Sequence, residues 1–228
     1  MRSPDDLQRV LFVGVIHTDS ESVVKVRETV RLHRPDVVAV ELDRYRLDQL
    51  LSRDATQTAV STGQSTDGVQ TLLQQIAVLE DLIGNATGSQ VGGEMLAAIE
   101  EGRKIGAKIA LVDRPLHVTV QALDKVPLDE IYRLMEMIPS VTREISGGNV
   151  LEMTRDLTNE ENLEKLLSEF RRQFPGLTNV LIDQRDDYVA RAISRILEDV
   201  QGKVVVVIGA GHLAGVRAAL ERIAAAGG

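Results

Sequence analysis

Cysteine is absent from the 228 residues, which removes disulfides, thiolate nucleophiles and cysteine-ligated zinc. Any metal must therefore sit on nitrogen and oxygen ligands. Tryptophan is absent too, and three Phe and three Tyr are the only aromatics. An aromatic platform for bases or sugars is hard to assemble from so few rings, and the core has to be aliphatic. Positive charge is also short: 26 Lys and Arg stand against 34 Asp and Glu, a formal net charge of -8. A sequence-independent grip on nucleic acid is not expected from such a surface. No apolar run approaches the roughly 20 residues of a membrane-spanning helix. The start carries Asp5 and Asp6 before a short apolar run, unlike the basic opening of a signal peptide, so the chain as given is expected to be soluble. Walker, H-E-x-x-H and G-x-S-x-G motifs are missing as well, so the common NTPase, zincin and serine-hydrolase readings lack their signatures.

What is present is a set of short runs rich in β-branched residues. Val10 to Ile16 is the first, Val37 to Val40 the second, Ile109 to Val112 the third and Val204 to Ile208 the last. Continuous apolar runs of this length read as strands covered on both faces, typical of a parallel sheet. Thr18 and Glu21 fit a capping box, and Val23, Val26 and Val30 recur at helical spacing until Pro35, so the first two strands form a βαβ unit with a right-handed crossover. Residues 54–67, rich in Thr, Ser, Gln and Gly, read as a mobile surface loop. Helical patterns run through Leu72, Ile76, Leu79 and Ile83 and again through Met95, Ala98 and Ile99, with the Gly-rich stretch Gly84 to Gly93 between them and Gly106 as a stop. Within residues 117–200, Thr158 and Glu161 cap one helix, and Pro175-Gly176 breaks before another from Val180 to Leu197. The expected fold is α/β, a single domain over residues 1–228. It has a mainly parallel central sheet with flanking helices and helical insertions at about 52–106 and 117–200, the second capping the carboxyl edge of the strands.

Open parallel sheets bind ligands at the carboxyl ends of their strands. That rule gathers His17, Glu41, Asp113, Arg114 and His212 on one edge. Each alone has a structural reading, as a helix cap or an ion-pair partner. Together, two imidazoles and two carboxylates supply a nitrogen and oxygen set suited to a divalent transition metal. His33, late in a helix, suits its negative end, and His117, after Pro115, is a weaker candidate. Gly209-Ala210-Gly211-His212-Leu213-Ala214 matches the dinucleotide pattern G-x-G-x-x-A, but no later strand follows with the acidic residue that such a site needs. The glycines therefore read as a tight turn exposing His212. Arg185 and Tyr188 share a helix face and reach toward the site from the cap, unless Arg185 pairs with Asp186 or Asp187 on the surface. Leu134, Met135, Met137 and Ile138 form an apolar patch that serves the core or a dimer contact, and a homodimer is expected.

Two G-x-x-H motifs, Gly14-Val15-Ile16-His17 and Gly209-Ala210-Gly211-His212, bracket Val38-Ala39-Val40-Glu41-Leu42-Asp43, Gly93-Glu94-Met95, Leu111-Val112-Asp113-Arg114 and Asp183-Gln184-Arg185-Asp186. In this order, over residues 10–220, the set resembles the TraB family of pheromone-shutdown proteins. The wider group is similar to the Tiki proteases of animals and to the erythromycin esterases. The resemblance implies an α/β core and hydrolytic chemistry, with the family's paired His on His17 and His212, its Glu on Glu41 and its Arg on Arg114.

Likeness to Tiki implies a divalent manganese or cobalt ion rather than zinc, on His17 and His212 with Glu41 or Asp113 completing the set. Glu41 is then a ligand or the general base, Glu94 the other of the two, and Arg114 a stabiliser of oxyanion charge or a grip on a substrate carboxylate, with Arg185 reaching in from the cap. A peptide such as a signalling peptide, or a small molecule, is the implied substrate. The alternatives are a metal-free hydrolase resembling the erythromycin esterases and a protein that sequesters a signalling peptide without cleaving it. Two features depart from the family. Gln184 stands where many relatives carry Glu, and the hydrophobic C-terminal region of many relatives is missing, so membrane association would come through a segment outside this chain. The expected location is cytoplasmic or membrane-associated.

Overall fold

Runs of valine that cannot expose either face to water build the centre of the protein. The computed structural model describes residues 4–15, 20–52, 68–76, 92–144 and 159–226. His17, Thr18, the 54–67 loop, most of the Gly84 to Gly93 stretch and Thr158 lie outside the described residues. Strands β1 (Val10–Val15), β2 (Val37–Val40), β3 (Lys108–Leu111) and β4 (Val204–Gly209) form one parallel sheet in the order β1-β4-β2-β3. The last strand in sequence thus lies between the first two, and the expected βαβ unit crosses over one intervening strand. β4 is buried at every position and takes a central place, whereas β3, with Lys108 exposed, takes an edge.

The faces follow the two-residue period of a strand. Val37, Ala39, Val204, Val206 and Ile208 pack against helices α10 (Gln184–Asp199) and α11 (Leu213–Ala226). Val38, Val40, Val205 and Val207 pack on the other side against α2 (Ser20–His33), α3 (Arg44–Ser52) and α5 (Gly93–Lys104). Each fully buried valine contributes about 1.5 kcal/mol or more of transfer free energy, so these two layers dominate stability. α5 therefore belongs to the layer covering the sheet, because Met95, Ala98 and Ile99 all face it. Gly106 ends that stretch with φ of 80°, a conformation that glycine adopts without strain.

A third apolar cluster forms the cap. It joins helix α4 (68–76), α6 (Leu116–Leu123), α7 (Leu128–Glu144), α8 (Glu160–Gln173) and α9 (Pro175–Thr178) through Leu72, Leu123, Ile131, Phe174 and Leu177. Ile138 is buried there with Leu134 and Met135 packed beside it, while Met137 is exposed, so most of the expected apolar patch is core. α8 is capped by Asn159, whose side chain accepts from the backbone N–H groups of Glu161 and Asn162, one residue after the expected Thr158. The helix expected from Val180 begins at Pro175 and runs through a π-helical turn (Asn179–Asp183) into α10. Pro175 opens the helix because the first helical position needs no N–H. The next two N–H groups donate to the buried carboxylate of Glu130, Gly176 to Oε1 at 3.1 Å and Leu177 to Oε2 at 3.0 Å. A short α1 (Pro4–Leu7) precedes the sheet. No described helix is long and apolar enough to cross a membrane.

Candidate functional site

Parallel register brings the strand ends level. Val204 pairs with both Val10 and Val37, and Val40 pairs with Val207 and Leu111. The residues just beyond these pairs therefore share one edge. Glu41 still donates its backbone N–H to Val207 O at 3.0 Å, which fixes where its side chain departs. Its carboxylate is 6% exposed and accepts the N–H of Gly209 on Oε2 at 2.6 Å. Asp113, beyond β3, is also buried and accepts the N–H of Arg114 on Oδ1 at 2.7 Å.

The cation for these two carboxylates comes from the first turn of α10. Arg185 follows the π-helical turn and donates from Nε to Asp113 Oδ1 at 3.1 Å, and from Nη2 to Asp113 Oδ2 at 2.9 Å and Glu41 Oε1 at 2.7 Å. Single π-helical turns recur at functional sites because they re-aim the side chains that follow. Burial works against the charge on Arg185, but Glu41 and Asp113 more than offset it, and its pKa is raised. Among the described residues, Nη1 of Arg185 has no hydrogen-bond partner.

His212 closes the cluster from the short 3₁₀ turn Ala210–His212. Its Nδ1 shares a 2.7 Å hydrogen bond with Oδ1 of Asp186, and its Nε2 lies 3.6 Å from Oε1 of Glu41. Burial favours the neutral ring, yet the charge of Glu41 and the Asp186 hydrogen bond outweigh it, so the imidazole is more basic than usual.

The structure thus unites Glu41, Asp113, Arg185 and His212 among the expected site residues. Arg114 has different neighbours: Nε donates to Thr119 Oγ1 at 3.1 Å, Nη1 to Gln184 Oε1 at 2.9 Å and Nη2 to Val180 O at 2.8 Å. Burial and the nearby charge of Arg185 lower its pKa. Gln184, the departure from the family pattern, is thereby a partner of Arg114. Asp43 accepts the N–H groups of Arg46 and Leu116, tying α3 to α6. Glu94 is 1% exposed in the first turn of α5, where the helix dipole favours a carboxylate. Tyr188 is largely exposed. Asp186 was not expected as a site residue. Its signal in the sequence is its place beside Arg185 in the Asp183-Gln184-Arg185-Asp186 motif, and its partner lies on another element.

Among the described residues, no three His, Asp or Glu side chains are grouped to hold a metal ion. Two donors fit one: Nε2 of His212 and Oε1 of Glu41 face each other at 3.6 Å, close to the spacing of neighbouring ligands on a divalent ion. The hydrogen bond from Nδ1 to a carboxylate is the usual support of a metal-ligating histidine. Both oxygens of Asp113 accept from Arg185, and of the two carboxylates it is Glu41 that lies against His212.

The sequence model of the TraB/PrgY/gumN family matches residues 2–227. The chain is similar to an uncharacterized protein of Methanocaldococcus jannaschii, 27% identical over 222 residues that cover 94% of this chain and 54% of that protein. It is also similar to the TraB domain-containing protein of Homo sapiens, 28% identical over 239 residues, with 93% of this chain and 62% of that protein covered. The corresponding protein of Mus musculus is 29% identical over the same shares. The chain thus spans a little over half the length of these relatives.

Proposed function

Because the chain belongs to the TraB/PrgY/gumN family, we propose that it is a metal-dependent hydrolase that cleaves peptide bonds at the carboxyl edge of its sheet. The observation that carries this reading is His212, held through Nδ1 by Asp186 and facing Glu41 through Nε2. His212 and Glu41 would hold a divalent manganese or cobalt ion, with His17 as the further ligand that the two G-x-x-H motifs supply. Such an ion would lend Lewis acidity to water and to the scissile carbonyl. Arg185 is the oxyanion donor, since Nη1 is unspent among the described residues while its other nitrogens fix its position. Arg114 anchors the cap to β3. The likeness to the Tiki proteases is what points to peptides.

Calorimetric titration of chelator-treated protein with manganese, cobalt and zinc, beside His17→Ala and His212→Ala, tests this reading. One-site binding that is lost in both variants, with cleavage of a peptide library by the loaded wild type, supports it. A wild type that binds none of the ions refutes the metal.

A second reading, a metal-free hydrolase, has one observation in its favour. Oε1 of Glu41, the oxygen that would ligate the ion, already accepts from Arg185 at 2.7 Å. In that reading Nε2 of His212 is the base that activates water. Hydrolysis that survives exhaustive chelation selects it, and saturable peptide binding without product selects sequestration.

A further inference from the structure

The carboxylate that bonds His212 occupies space left by a missing methyl group. Gly215 lies in the first turn of α11, and a Cβ there would overlap Oδ2 of Asp186 and sit 2.8 Å from its Cγ. Gly215 has no positive φ to require glycine, and glycine inside a helix costs about 1 kcal/mol relative to alanine. Its neighbour Gly211 differs, since a Cβ there would meet only the methyl groups of Leu167 at 3.9–4.0 Å. The space at Gly215 is therefore used by the Asp186 side chain, which is 6% exposed and bonded to Nδ1 of His212 at 2.7 Å.

We propose that Asp186 is a positioning residue that holds neutral His212 with its proton on Nδ1 and its Nε2 lone pair toward Glu41, and that Gly215 is the clearance Asp186 needs to do so. An ionised carboxylate only accepts hydrogen bonds, so a 2.7 Å contact with it selects the Nδ1–H tautomer. The freed Nε2 is then the one ring nitrogen able to ligate an ion or take a proton on the Glu41 side. This inference rests on the reading of His212 as the working group of the site. It assigns to Asp186 and Gly215 a role that acts through His212, without contact with substrate.

The test is the ¹⁵N spectrum of the full chain labelled in its four histidines, with His212 assigned from the His212→Ala spectrum, recorded without metal at a pH where the ring is neutral. The wild type is expected to show a protonated Nδ1 and an unprotonated Nε2. Asp186→Asn keeps the shape but can offer its NH₂ to Nδ1, and Gly215→Ala pushes the carboxylate aside, so both are expected to move the proton toward Nε2. A wild-type ring protonated on Nε2, or two variants that keep the wild-type signature, overturns the proposal. Should Gly215→Ala fail to fold, the wild type and the isosteric Asp186→Asn still decide it. Titration with manganese alone is a separate arm, with affinity expected to fall about 10- to 100-fold in both variants. If the wild type binds no manganese, the metal-dependent reading fails while the tautomer result still decides the role of Asp186.

Discussion

Nη2 of Arg185 donates to Oε1 of Glu41 at 2.7 Å, and that same oxygen faces Nε2 of His212 at 3.6 Å. One carboxylate oxygen thus stands between the cation of α10 and the imidazole of the turn that follows β4. The side chains of Glu41 and Asp113 are each 5% exposed and share Arg185 as a cation. Removing one partner of a buried ion pair leaves the other charged and desolvated. Arg185→Met is therefore expected to lower stability by about 3–5 kcal/mol in urea unfolding. Adding Asp113→Asn to that variant should recover part of the loss, since it removes one stranded charge. Equal stability of wild type and Arg185→Met would show that the triad does not hold in solution.

Arg114 makes a different prediction, because each of its guanidinium nitrogens already holds a protein oxygen, one of them Val180 O in the π-helical turn. Lysine has no planar fork and cannot make these three bonds together. Arg114→Lys should cost about 1.5–3 kcal/mol for each bond lost, the usual range for hydrogen bonds to a charged group. Hydrogen exchange should quicken over residues 175–199, where the cap returns to the sheet, and stay slow in β1 and β4. Unchanged exchange in the cap would leave Arg114 free for the substrate-facing role that the family resemblance implies.

These two arginines mark where sequence reading runs out. The strand ends were legible because a strand buried on both faces is a continuous apolar run, and the first ionisable residue after it marks its end: Glu41, Asp113 and His212 were found that way. Strand order was not legible, since β1, β2 and β4 are all valine-rich, and β2 and β4, which take the two inner places, are alike buried at every position. Arg114 and Arg185 could not be told apart as to role, because that depends on which carbonyls and carboxylates the cap brings near. Asp186 was missed for the same reason: its hydrogen bond spans two elements and 26 residues.

The start of the helix at Pro175 was hidden by an equally distant partner. Glu130 accepts the N–H groups of Gly176 and Leu177 from 46 and 47 residues away, a carboxylate cap at the positive end of the helix dipole. Glu130→Ala leaves those N–H groups without their acceptor in a largely buried setting, and should cost about 0.5–2 kcal/mol, the range for loss of an N-cap. Glu130→Gln should cost less, because its amide oxygen can still accept one of them. The comparison is read from urea midpoints, and a Gln variant no better than Ala would refute the capping role.

On the opposite side of the sheet, Glu101 gives the clearest dependence on pH. It projects from α5 toward α2, is 3% exposed, and accepts from Arg31 at 2.8 Å and Arg27 at 3.1 Å, with Lys104 at 3.4 Å. The Arg31 hydrogen bond comes first in effect; together with those from Arg27 and Lys104 it overcomes burial and holds the carboxyl at about 2, against an ordinary 4.5. A folded-state pKa below the unfolded one means that folding favours the ionised form. The stabilisation is then full above 4.5 and disappears as the pH falls toward 2. Glu101→Gln removes the titrating group, so urea unfolding over a pH series should show the wild type ahead of the variant near neutrality and the gap closing through that window. Arg31 is 58% exposed, so added salt should narrow the gap above 4.5 as well. A gap that stays constant with pH would mean that Glu101 contributes through shape and hydrogen bonding alone, and that its charge is not what ties α5 to α2.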